Sequence, residues 1–176
     1  MQNHLVLSIH CEDKPGVIKA VAKVVAEHNG NWLESRFSQL AGLFAGIVRV
    51  SVDQDDTHEL TEALSELQES GLFVTTHTEP PQAQKNQEEP TKKARFHALG
   101  PDKPGIVKEF TQAFIQAQLN ICSINSKISS MPYSGDPLFE AEGVLDIPET
   151  LDILALEETL SATADAIGID FTLRDM

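Results

Sequence analysis

Asp13-Lys14-Pro15-Gly16-Val17-Ile18 and Asp102-Lys103-Pro104-Gly105-Ile106-Val107 set the same residue types in the same order. In each copy a carboxylate stands just ahead of a proline, a glycine and two β-branched residues. Proline suits the first helical position because its missing N–H would be unpaired there anyway, so helices are expected from Pro15 and from Pro104. Glycine leaves the backbone unshielded. The N–H groups of Gly16, Val17 and Ile18, like those of Gly105, Ile106 and Val107, then have no acceptor within the helix. Free N–H groups at the positive end of a helix dipole suit a carboxylate. Asp13 or Asp102 could take an ammonium group, and Asn31 or Asn120, each opening the following strand, offers an amide donor and acceptor. Together these groups fit a free α-amino acid. A single copy is equally well explained as a strand-to-helix turn, with Asp as cap, Pro as helix starter and Gly for close packing. Repetition of the whole set favours a functional unit, and whether both copies bind stays open.

The elements that must hold these residues follow from the repeat. The two motifs are displaced by 102 − 13 = 89 positions, and Asn31 and Asn120 keep that displacement. Val17, Val21, Val24 and Val25 follow helical spacing, as do Ile106, Phe110, Ala113 and Phe114, so each motif opens an amphipathic helix. HLVLSIH and ARFHALG read as the strands before the motifs, and NWLESRFSQL and NICSINSKIS as the strands after the helices. LFAGIVRVSV and FEAEGVLDI follow as third strands. Acidic helices over Asp56 to Ser70 and Glu149 to Ala166 come next, and LFVTTHT and IDFTLRD are last strands. Each half is therefore β-α-β-β-α-β, and MPYSGDP at 131–137 is expected as an enlarged turn in the second copy. Right-handed crossovers place both helices on one face of a four-stranded antiparallel sheet. The expected fold class is α+β, two tandem ferredoxin-like units over residues 1–78 and 94–176. The Pro- and Gln-containing segment 79–93 is read as a linker. Sheet faces and edges left bare could be covered by packing of the units or by a homo-oligomer.

The totals narrow the functional classes. Thirteen basic against 27 acidic residues leave a net charge of −14, which repels nucleic acid and anionic membrane. The longest apolar runs fall short of a membrane span and no secretory leader is visible, so the chain is read as cytoplasmic. Cys11 and Cys122 stand alone, without a disulfide framework or a zinc pattern. His10, Cys11 and Asp13 fall together, but a strand sends His10 and Cys11 to opposite faces, and the second half has Leu99 and Gly100 there. No catalytic motif is present. No enzyme, metal or cofactor is expected.

A strand followed by D-K-P-G-[VI]-[VI], an apolar helix and an Asn opening the next strand resembles the ACT domain, a ligand-responsive regulatory module. The resemblance covers both halves. Two such units without a catalytic or DNA-binding domain are similar to the glycine cleavage system transcriptional repressor family. That family implies a negative regulator acting through a separate DNA-binding activator, with glycine as a ligand suggested by the pathway. The rival reading is a regulatory subunit of an amino-acid-pathway enzyme. The resemblance implicates Asp13, Gly16, Val17, Ile18 and Asn31 in one half and Asp102, Gly105, Ile106, Val107 and Asn120 in the other. ACT sequences often carry Gly two positions before the Asn and Ile after it. Here those places hold Asn29 and Trp32, and Gln118 and Ile121. Without a glycine, the second loop is expected to take φ > 0 less easily. The acidic side chains of the second and fourth helices, among them Asp56, Glu62, Asp152 and Glu157, read as solvated faces or as a dock for a basic protein partner.

Overall fold

A computed structural model describes residues 1–79 and 90–176. They form two compact units. In the first, β1 (Gln2–Glu12), α1 (Val17–Glu27), β2 (Asn31–Leu40), β3 (Leu43–Asp53), α2 (Thr57–Glu66) and β4 (Leu72–Thr78) follow in order, with a 3₁₀ turn at Leu67–Ser70. The second runs β5 (Thr91–Pro101), α3 (Ile106–Gln116), β6 (Asn120–Ser130), β7 (Pro137–Pro148), α4 (Ile153–Asp165) and β8 (Asp170–Asp175). The sheets are four-stranded and antiparallel, in the orders β2-β3-β1-β4 and β6-β7-β5-β8. Most of the segment read as a linker, residues 80–89, lies outside the described residues. Thr91, Lys92 and Lys93 belong to β5, opposite Pro148, Ile147 and Asp146. The enlarged turn lies between β6 and β7, as its glycine and prolines suggest.

Alternation decides which face is covered. Leu5, Leu7, Ile9 and Cys11 of β1 are buried with Val17, Val21 and Val25 of α1 and Leu60 and Leu64 of α2, so both helices cover one face. The intervening His10 points the other way and stacks on Phe73 at 5.0 Å. Burial pushes the Cys11 thiol up, a trend that Asp13 and Glu12 reinforce and Lys14 opposes. The second unit repeats the plan with larger groups, for Phe96, Phe110, Phe114 and Phe171 replace aliphatic side chains at its centre. Space for Phe96 comes from the facing strand. Its partner across the sheet is Gly143, whereas Leu7 in the first unit faces Val48.

The loop after each first helix departs from expectation. Asn29 has φ 57° and Gln118 has φ 56°, both in the left-handed region, although neither is glycine. Main-chain bonds hold the second loop there: Gln118 N–H donates to the Ile115 carbonyl at 3.0 Å and Leu119 N–H to the Phe114 carbonyl at 2.9 Å. These are the local bonds of a helix C-terminal cap, and they impose the conformation on a residue whose Cβ crowds the backbone there. Asn tolerates this region better than Gln, and Asn29 also donates to Asp56 Oδ2 at 3.1 Å. Gln118→Gly should therefore stabilise the second unit by about 1 kcal/mol, less the entropy glycine loses on folding. Urea denaturation checks this, and an unchanged or lower midpoint would contradict it.

Candidate functional site

Both motifs form turns of one geometry. Gly16 has φ 95° and ψ 0°, and Gly105 has φ 87° and ψ 1°. These are the angles of the second central residue of a type II turn, a place glycine fills without strain, with proline favoured just before it. The helices consequently begin at Val17 and Ile106, two residues later than the prolines suggest. Pro15 and Pro104 shape the turn, and Gly16 and Gly105 become the N-caps without a side-chain cap. Ala20 N–H makes the first bond back to Gly16, and Glu109 N–H the first back to Gly105. The amides ahead of them, in α1 those of Val17, Ile18 and Lys19, point out of the helix end.

Around the first turn, Asp13, Lys14, Gly16, Val17, Ile18, Lys19 and Phe44 line an open depression of about 230 Å³. Four expected residues, Asp13, Gly16, Val17 and Ile18, thus come together. Phe44 was not legible from the motif, since it reaches the site from β3 by pairing opposite Cys11. Asp13 is fixed by its own N–H, which donates to the Gly42 carbonyl at 2.9 Å. Lys14 Nζ donates to the Ser70 carbonyl at 2.8 Å, tying the turn to the end of the 3₁₀ segment.

Asn31 is not part of this cluster. It pairs with Ser51 of β3, and Ser51 pairs with His4 near the start of β1. Asp13 lies nine residues beyond His4, about 30 Å away at ~3.4 Å per residue. The second unit separates its pair likewise, because Asn120 faces Asp146 and Asp146 faces Lys93, nine residues before Asp102. The expectation that the amide shares an end of the sheet with the carboxylate is therefore corrected. A free amino acid is a small fraction of that length, so within one unit Asp and Asn cannot hold one ligand. Asp102, Gly105, Ile106 and Val107 do remain together at the second turn.

Some other polar groups on the sheets pair with one another. Arg49 Nε lies 2.8 Å from Glu79 Oε2 beside a depression of about 300 Å³. On the second sheet Lys127 and His97 reach Glu140 at 2.8 and 3.4 Å, and the Lys127 hydrogen bond, then that of His97, holds the Glu140 carboxyl below its usual range. Some of the acidic helix residues have structural work: Asp152 caps α4 through Leu154 N–H at 3.2 Å, and Glu157 accepts from Leu173 N–H at 2.9 Å.

The strand orders and the turns together give two tandem units of ACT-like fold. Residues 3–77, almost the whole first unit, match the family model for the ACT domain, and the second unit repeats its fold. Among solved structures, an unknown protein from Galdieria sulphuraria is 23% identical, with a TM-score of 0.85 and coverage of 100% of this chain and 99% of that one. Another, described as a "putative glycine cleavage system transcriptional repressor", is 18% identical, with a TM-score of 0.72 and coverage of 100% and 98%. No curated protein shows significant sequence similarity. Among the described residues no helix is long and apolar enough to cross a membrane.

Proposed function

We propose that this chain is a non-catalytic regulatory protein that binds a small amino acid such as glycine at the Asp13 turn. In this proposal it acts as a negative regulator of a glycine cleavage operon through a DNA-binding protein partner. The observation that carries the ligand half is the depression at the end of β1, which Asp13, Lys14, Lys19 and the amino end of α1 line together. An ammonium can bind Asp13 while a carboxylate faces the helix amides, Lys14 and Lys19. About 230 Å³ is below the ~300 Å³ at which drug-sized pockets begin, a size for a small metabolite. The regulatory half draws support from the ACT match and from the full-length architecture shared with the repressor-like structure. The charge of −14 favours a protein partner over direct DNA contact.

Regulation requires that the ligand prefer one state of the chain over another. A calorimetric screen of amino acids tests the ligand half. Asp13→Ala should weaken binding about 10- to 100-fold, the loss of one charged hydrogen bond worth ~1.5–3 kcal/mol. Absence of any binding by the wild type would leave the regulatory half without a ligand. Pull-down from lysate with and without the bound amino acid tests that half. A transcription factor among the captured proteins supports it, and an amino-acid-pathway enzyme supports the regulatory-subunit alternative.

A further inference from the structure

We infer that the two turns have diverged: the first takes the ligand, and Glu109 closes the second. The inference rests on the amino-acid reading above. The backbones superimpose in kind, both glycines being left-handed N-caps, so the difference lies in what surrounds them.

At the first turn Lys14 spends its hydrogen bond on the neutral Ser70 carbonyl at 2.8 Å. Among the described residues no carboxylate pairs with it, and Lys19 lines the same depression. The first turn of α1 carries no acidic side chain. Lys14, Lys19 and the amino end of α1 thus line the depression with a single carboxylate, Asp13, and it favours an incoming carboxylate. Val17 N–H has no backbone acceptor among the described residues.

At the second turn Lys108 stands where Lys19 does, but the other lysine and the first helix amide are taken. Lys103 Nζ sits 2.7 Å from Glu109 Oε2, and Ile106 N–H donates to the Lys103 carbonyl at 3.2 Å. Glu109 stands in the first turn of α3, where the equivalent residue of α1, 109 − 89 = 20, is Ala20. Its carboxylate lies where a ligand carboxylate would have to approach the helix end, and it neutralises the lysine that would attract one. A carboxylate there also stabilises the helix terminus. A purely structural role therefore predicts a change in stability and none in ligand stoichiometry.

The experiment is calorimetric titration of the full chain with glycine, then with the remaining proteinogenic amino acids. One equivalent per chain is expected, with affinity lowered about 10- to 100-fold in Asp13→Ala and unchanged in Asp102→Ala. Glu109→Ala and Glu109→Gln, both at an exposed position, should raise the stoichiometry from one to two. Two equivalents in the wild type would overturn the inference. So would an affinity lowered in Asp102→Ala and unchanged in Asp13→Ala, or a stoichiometry that stays at one in both Glu109 variants. If the wild type binds no amino acid, the ligand reading itself fails and takes this inference with it.

Discussion

Phe96→Ala is expected to cost the second unit about 4 kcal/mol, within the ~3–5 kcal/mol typical of deleting a buried aromatic ring. Phe96 is fully buried and lies 5.7, 5.2 and 6.3 Å, centroid to centroid, from Phe110, Phe114 and Phe171. Three rings from two other elements therefore lose a neighbour at once. The site is slow to collapse, because the facing residue is Gly143 and has no side chain to fill the gap. Stability of a domain is roughly 0.05–0.15 kcal/mol per residue, so the loss removes a large part of what holds a unit of this size together. Urea denaturation followed by circular dichroism should show the transition of the second unit moved to much lower denaturant. A shift worth less than about 2 kcal/mol would mean that the aromatic cluster repacks or is not the centre of the core.

Gly143→Ala probes the other half of that arrangement and should destabilise by about 3 kcal/mol, at the upper end of overpacking effects. A Cβ at this position would clash with the Ser123 carbonyl oxygen and lie 2.7 Å from the Phe96 ring. The ring could swing away, but the carbonyl belongs to the backbone of β6, beside the register shift between Ile121 and Ser123. The strand itself must move. Combining Gly143→Ala with Phe96→Leu removes the ring contact and leaves the backbone contact. The double variant should therefore recover none of the cost assigned to Ser123, and full recovery in the same denaturation experiment would place the strain at the ring instead.

Much of the architecture could be read from repetition and period. Constant displacement of Asp13 and Asn31 onto Asp102 and Asn120 identified the duplicated unit. Helical spacing of Val17, Val21 and Val25 picked out the residues that are buried against β1. The local motif also led correctly to Asp13, Gly16, Val17 and Ile18 as neighbours, since adjacent residues of one turn cannot be far apart. Asn31 was misplaced for a topological reason. A crossover helix carries the chain back to the end of the sheet where the first strand began, so the residue that opens β2 must lie at the opposite end from the turn that closes β1. That signal was present in the β-α-β order. Phe44 carried no such signal, because its place beside the turn depends on the register of β3 against β1. Gln118 shows a different limit: φ 56° is imposed by main-chain hydrogen bonds on a side chain that does not favour it, and propensity alone points the other way.

An amino acid bound as proposed over the end of β1 would lie against the helix amides. The most direct measurement is a titration of the ¹⁵N-labelled full chain with glycine, followed through backbone amide chemical shifts. The largest changes are expected at Gly16, Val17, Ile18 and Lys19, with the Glu109 turn unmoved. Saturating glycine that leaves those four amides unshifted would contradict that placement.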